Sequence, residues 1–533
     1  MANAIQSSGV RDAVQQSRRQ RNGLDATRLD ALVKNFKSWI ERHENLVLIV
    51  ALTVLTAFSL LFGWREPFRV DEYLVRITAL SGSPTAVWHI LKTAPLAVDP
   101  PLYHFLNVYW LRLFGATEFS VRLPSIVAYT FMSFFLYRFV RRYTDAFTGL
   151  ILLALCLQCG TFPYAYEARP YTLVLAAAAM ALVCWAMIVE EGQKRILALA
   201  GLFLGIAIAV GSHWFGFLVL VPLAVGEAVR TWQKRRIDAA VWAVLTAGAA
   251  TALAYLPLLK GASQYRALPW KGVELGDISE SFRLVLEPCV FPFTLLLVGL
   301  VVGSFFFGPR PPRLKASRIP MPVFVCVAAF ALVPFPGFLV GKLVSHAFQP
   351  RYALLCTIGL LPLVSLAVRD FARRSVTWMG LAILILGGYA SFSHYRELSG
   401  MPREADASAF ADARVILSNS DLPVVPSTDD LFLRLEAHGP ASVRQRCVFP
   451  TDPSFVRLLH ENTTFLMTEG LRRWTKLPIP DLTLFLSAHP RFYLVQAGSG
   501  QSWLLDRMLE EHADVKLQGT YARSPVYLIQ ASH

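Results

Sequence analysis

The chain has 533 residues, of which 54% are apolar and only 17% charged, with a formal net charge of +14. Soluble domains carry about one quarter charged residues, so charge has been removed here from long stretches, which excludes an ordinary soluble protein. Lys and Arg fall in short bursts between apolar runs rather than on one polar domain, which argues against a nucleic-acid-binding protein and for a polytopic membrane protein.

Residues 1–44 are polar, with eight basic and five acidic side chains. They read as a cytoplasmic tail without a cleavable signal, followed by a retained signal anchor at 46–63. Further apolar runs long enough to cross about 30 Å of hydrocarbon, at about 1.5 Å per helical residue, lie at 120–137, 146–164, 170–189, 196–210, 212–229, 238–259, 289–307, 320–340, 352–368 and 376–393. Eleven crossings are therefore predicted. The least distinct division separates 196–210 from 212–229, around Gly211 and Ser212.

Arginine and lysine mark alternate connectors: Arg138, Arg141 and Arg142; Lys194 and Arg195; Arg230, Lys234, Arg235 and Arg236; Arg310, Arg313, Lys315 and Arg318; Arg369, Arg373 and Arg374. The positive-inside rule puts these in the cytoplasm, and the acidic connectors then fall outside. Residues 101–115 are apolar but only fifteen long, and a crossing there would invert every later connector. They are expected to lie at the interface or re-enter the outer leaflet, with Tyr103, Tyr109 and Trp110 at the boundary. Residues 64–119 then form one long external loop, and residues 45–394 the membrane domain.

From about residue 395 the hydropathy falls. Strand-like VRQRCVF (443–449), RFYLVQA (491–497) and PVYLIQA (525–531) alternate with helix-like ADASAFADA (405–413), DLFLRLEAHG (430–439), SFVRLLHEN (454–462) and WLLDRMLEEH (503–512). The fold class expected is an all-α polytopic membrane domain followed by an external α/β domain over 395–533. The seven cysteines include no CxxC pair and do not read as a disulfide framework.

The external face gathers the residues with chemical potential. Asp71 and Glu72 follow the first crossing, and adjacent carboxylates on a helix diverge by about 100°, so one is expected to react and the other to support it. Asp99 opens DPPLYH. Glu167 and Arg169 occupy a tight turn in which Pro170 suits the first helical position. Arg122, His213, Arg351 and Tyr352 stand at helix ends on the same side. Each has a plainer reading: solvated loop carboxylates, a paired turn, a structural histidine, interfacial anchors. Together they point to one site at the outer boundary, because the topology that groups them rests on the apolar runs and the connector charges.

A single Asp-Glu after the first helix, then DPPLYH, EFSVRLPS, EARPY and GSHWFGF in this order, resembles the GT-C glycosyltransferase superfamily over residues 45–220 and weakly to 393. The nearest branch is that of dolichyl-phosphate-mannose protein mannosyltransferases and bacterial aminoarabinose transferases. The resemblance implies a bacterial inner-membrane enzyme that moves a sugar from a polyprenyl-phosphate donor to a hydroxyl of a glycan, lipid or protein, with inversion and in one displacement. It implies Asp71 as general base with Glu72 orienting it or binding the acceptor. Arg122, Arg169, His213, Arg351 and Tyr352 become donor-phosphate ligands, and Asp99 and Glu167 acceptor ligands or holders of a divalent cation such as Mg or Mn. One departure stands out: aminoarabinose transferases carry a lysine beside the double proline where this chain has Asp99. Rival readings are a transporter or flippase, a noncatalytic membrane-anchored binding protein, and a polysaccharide ligase or polymerase. The first lacks midplane ionisable groups, and the last would carry its long loop late in the chain.

Overall fold

A computed structural model describes residues 35–263, 272–306, 319–372, 376–401, 421–452, 464–496, 503–521 and 524–531. The N-terminal tail to residue 34, the Arg310 to Arg318 connector, Arg373 and Arg374, and the ADASAFADA and SFVRLLHEN segments lie outside them. Among the described residues, nine helices are long and apolar enough to cross a membrane, and Met321–Ala331 with Pro334–Ser345 makes a tenth candidate bent by 52°. These correspond to ten of the eleven expected crossings.

The eleventh, 146–164, is shorter than expected. Helix Ala146–Gln158 has 13 residues, about 20 Å, and a five-residue 3-10 helix, Phe162–Tyr166, adds about 10 Å. The two pieces together run about 30 Å, shorter than the roughly 39 Å of the preceding helix, Glu118–Tyr143, yet the segment is tied to elements at both ends of that helix. The near end of that helix reaches Glu72 through Arg122, and Glu72 also accepts from the Ala168 amide just past the 3-10 helix. At the far end, Asp145 caps Ala146–Gln158 by accepting from the Thr148 amide and pairs with Arg369 at 3.0 Å. The break falls at Gly160, where a Cβ would lie 1.7 Å from the Leu284 carbonyl oxygen. Backbone thus packs directly on the helix Gly276–Phe306.

The first loop folds into three short helices: α1 (Val70–Leu80), α2 (Pro84–Thr93) and α3 (Leu102–Phe114). At 13 residues, α3 is too short to span, as the connector charges require. Tyr109 is exposed and Trp110 half-buried, in keeping with a boundary position. Tyr103 is not at the boundary: it is fully buried, its hydroxyl 2.8 Å from Ser125 Oγ.

The C-terminal region carries a four-stranded mixed sheet: β1 (Val424–Pro426), β2 (Arg491–Val495), β3 (Asp514–Tyr521) and β4 (Ser524–Gln530), in the order β1-β2-β4-β3. Only β1 and β2 run parallel. Helices Asp429–His438 and Trp503–Glu510 match expectation. The VRQRCVF segment does not form a strand. It starts inside the helical turn Ala441–Arg444, and only Cys447 bridges to Val424. The last long apolar helix, Val376–Gly400, runs five residues past residue 395.

This region shares one apolar core with the first loop. Phe68, Leu74, Val87 and Leu96 belong to the same buried cluster as Val424, Phe432, Leu494 and Ile529. Polar contacts fix the seam: Trp474 Nε1 donates to the Ala94 carbonyl at 2.8 Å, and His438 Nε2 lies 2.7 Å from Glu118 Oε1. The loop helices that bear Asp71 and precede Asp99 are therefore clamped between the membrane bundle and the C-terminal sheet.

Candidate functional site

The first turn of α1 separates the two adjacent carboxylates. Glu72 turns inward and is fully buried, whereas Asp71 keeps 32% of its side chain exposed. Glu72 closes a capping box by accepting from the Arg69 amide, and it also accepts from the Ala168 amide at 2.8 Å. Arg122 meets it with two parallel bonds of 2.8 and 2.7 Å. The remaining Arg122 donors go to the carbonyls of Gly63, Glu66 and Pro67. A guanidinium has five N–H donors. All five are taken, so Arg122 has none left for a donor phosphate, and Glu72 is walled off from any acceptor. In this geometry the pair is an internal brace that ties the end of the first membrane helix, α1, the third crossing's exit and Glu118–Tyr143 together.

Asp71 faces the other way. Its Oδ2 accepts from Arg169 Nη1, and the same guanidinium nitrogen lies 3.9 Å from Glu167 Oε1. Arg169 also stacks over Tyr171, 5.1 Å from its centroid. Arg69 approaches Glu167 from the opposite side at 3.8 Å. Burial pushes the Glu167 carboxyl above its usual range, against the pull of Arg169 and Arg69. Arg69 and Tyr171 were not expected as site residues. The sequence offers no separate signal for Arg69, while Tyr171 stands within EARPY.

A cavity of about 320 Å³ opens beside Arg169. Asp99, Arg169, His213 and Tyr352 line its polar end. Apolar walls come from Phe217, Leu259, Val340 and Val344, all of which are also exposed on the outer surface of the bundle. His213 Nε2 lies 3.3 Å from Asp99 Oδ1, and its Nδ1 accepts from the Phe215 amide at 3.1 Å. Since Nδ1 accepts, the proton of a neutral ring sits on Nε2 and points at Asp99. Burial lowers the His213 pKa more than Asp99 raises it, so the ring is neutral near pH 7 and enters the site as a donor rather than a cation. Trp214 Nε1 donates to the Val98 carbonyl at 2.6 Å and so fixes Asp99 from the next residue. Arg351 stands behind Tyr352, its charge 6.0 Å from that ring, and its buried Nε has no hydrogen-bond partner.

The structure thus brings Asp71, Glu167 and Asp99 to one boundary, joined by Arg169 and the cavity wall. As a metal cage they fit poorly. Asp71 and Glu167 both face Arg169, Asp99 faces His213, and among the described residues no three His, Cys, Asp or Glu side chains gather to hold an ion.

Residues 98–259 match the family described as dolichyl-phosphate-mannose-protein mannosyltransferase. Two curated relatives are undecaprenyl phosphate-alpha-4-amino-4-deoxy-L-arabinose arabinosyl transferases. That of Erwinia tasmaniensis is 24% identical, over 48% of this chain and 55% of the relative. That of Shewanella sediminis is 27% identical, over 57% of each. The chain therefore spans about half the length of the curated relatives it matches. Among solved structures, apo ArnT from Cupriavidus metallidurans superposes with a TM-score of 0.56 at 12% identity, covering 93% of this chain and 98% of that one. The same protein bound to undecaprenyl phosphate gives 0.54 at 13%, over 92% and 98%. The fold is similar to that of ArnT.

Proposed function

We propose that the chain transfers a sugar from a polyprenyl phosphate to a hydroxyl acceptor at the membrane face that carries Asp71. One observation carries the reading: the cavity joins an apolar wall exposed on the membrane surface to a polar end at Arg169, which also touches Asp71. A lipid phosphate needs both ends of such a channel. Its isoprenoid units would lie on Phe217, Leu259, Val340 and Val344. Its phosphate would meet Arg169, the Tyr352 hydroxyl and, with a small side-chain shift, the unpartnered Nε of Arg351. The curated relatives are named for a donor of this class, and the ArnT structure was solved with undecaprenyl phosphate, which supports the choice.

In the proposed step Asp71 accepts the proton of the acceptor hydroxyl while that oxygen forms a bond to the anomeric carbon. The bond from the anomeric carbon to the phosphate oxygen breaks, and its electron pair stays on the phosphate, with inversion at carbon. The extra negative charge develops beside Arg169 and Arg351, in a site from which apolar walls exclude water. Arg169 is shared between Asp71 and the cavity. A phosphate that attracts it loosens its hold on Asp71 and frees that carboxylate to meet the acceptor hydroxyl when the donor is in place. The carboxylates already have cationic or N–H partners: Arg169 for Asp71, Arg169 and Arg69 for Glu167, and His213 for Asp99. The positive-inside pattern puts this face outside the cytoplasm, which in a bacterial inner membrane is the periplasm.

Asp71→Asn tests the reading with purified protein, a radiolabelled polyprenyl-phosphate sugar and membrane extract as acceptor. Transfer should fall at least about 100-fold, the lower range for a positioned base. Unfolding should move by no more than about 1 kcal/mol, as for a partly exposed ion pair. Transfer at the wild-type rate would remove Asp71 as base. Comparing lipid-linked sugars and envelope glycans in cells with and without the gene would identify donor and acceptor, and unchanged profiles would oppose transfer altogether.

A further inference from the structure

A second cavity, of about 480 Å³, lies at the other end of the bundle. Helix Tyr171–Val189 begins two residues after Arg169 and ends beside this cavity, so about 28 Å of helix separate the two. Its walls come from the ends of four helices: Glu191 and Gly192 after Tyr171–Val189, Arg195 opening Arg195–Ser212, Arg230 and Lys234 closing Leu220–Lys234, and Arg236 to Ala239 before Ala239–Ala250.

The wall holds four cations, Arg195, Arg230, Lys234 and Arg236, and two carboxylates, Glu191 and Asp238. Arg195 and Arg230 both grip Asp238, and Lys234 pairs with Glu191. Arg236 is exposed on the rim and, among the described residues, has no ion pair. Arg230 is only 4% exposed, yet its Nε has no hydrogen-bond partner. Ile237 lines the cavity and is 68% exposed, and on the helices that supply its cations Ile196, next to Arg195, is 84% exposed and Trp232, between Arg230 and Lys234, is 78% exposed. Glu227 also pairs with Arg230 at 3.0 Å, so the hollow keeps a small excess of positive charge, carried at Arg236. At the end of a helix bundle and beside exposed apolar side chains, this matches the chemistry of an anionic phospholipid, phosphate inside and acyl chains along the bundle.

We infer that this cavity binds the phosphate headgroup of an anionic phospholipid from the leaflet opposite the transfer site. Arg236 and Lys234 supply the charge that closes on the phosphate, while Arg195 and Arg230 hold the pocket's shape through Asp238. The inference depends on the chain crossing the bilayer, not on the transfer reaction, so it stands or falls separately from that proposal.

Native mass spectrometry of the full-length protein tests it, after exchange into detergent with phosphatidylglycerol or phosphatidylcholine. Wild type should retain phosphatidylglycerol in preference to phosphatidylcholine. Arg236→Glu should cut that retention by about five-fold for each unit of charge lost, with phosphatidylcholine adducts unchanged. Arg138→Glu, an equal charge change at an exposed position on the same face, controls for general attraction and should retain lipid as wild type does. The inference is overturned if Arg138→Glu and Arg236→Glu lose lipid equally, if neither does, or if millimolar inorganic phosphate displaces phosphatidylglycerol, which would make the hollow a site for a soluble anion. Unfolding temperatures in phosphatidylcholine alone establish that each variant is folded.

Discussion

Asp71 and Glu72 are neighbours in sequence with opposite fates, and the difference lies in one turn of helix. The sequence reading has one react and the other support it; the structure shows Glu72 as the buried one and Asp71 as the partly exposed one. What the sequence could not supply was the identity of the support. Arg122 looks like a boundary arginine because its partners are three backbone carbonyls and a residue fifty positions away, none of which leaves a side-chain signature. Removing half of such a buried pair leaves the other charge stranded, so Arg122→Ala should lower stability by about 3–5 kcal/mol, read as loss of folded protein in detergent unfolding. Glu167 gives a test in pH. Burial raises its folded pKa above the ordinary 4.5, so the folded state holds the proton more tightly than the unfolded chain does. The stability linked to that proton is fully present below the unfolded pKa and is lost as pH rises through the folded value. Glu167→Gln cannot ionise, so its unfolding temperature relative to wild type should climb from pH 4 towards neutrality. A flat difference would mean the carboxyl is not shifted in the native protein.

Among the elements, the membrane helices were legible because a charge inside hydrocarbon is costly and its absence is easy to read. The short pieces were not. Helix Ala146–Gln158 followed by a 3-10 turn looks in sequence like one ordinary crossing, since composition does not register where backbone hydrogen bonding changes. The change falls at Gly160, whose neighbour is a backbone carbonyl of another helix. Gly160→Ala should therefore separate these elements and reduce recovery of folded monomer in size-exclusion chromatography, while Gly388→Ala, which has open space around it, should not. The strand errors have a different cause. VRQRCVF alternates over too few residues to decide between strand and turn. β3, DVKLQGTY, reads as polar because it pairs on one side only, with β4.

At the scale of the molecule, the sequence separates two bodies by hydropathy, whereas the structure joins the second to the outer loop of the first. Residues from α1 and α2 share a core with the C-terminal sheet, which no periodicity within either segment could reveal. A chain ending at residue 400 should still insert in the membrane. It should lose transfer, however, and its 66–100 segment should become sensitive to protease added from outside, because Leu96 and Ala94 lose the cover of Gly470 and Trp474. Protection equal to the full chain would mean that the loop is held by the helices alone.

The cavity beside Arg169, proposed to take the donor, opens sideways through Phe217, Leu259, Val340 and Val344 onto the outer surface of the bundle. A substrate entering by that route arrives by two-dimensional diffusion and is counted against its lipid neighbours, not against a volume of buffer. Half-saturation then becomes a mole fraction: adding inert detergent at fixed total donor slows the enzyme by surface dilution, while diluting the whole suspension leaves the rate per enzyme unchanged.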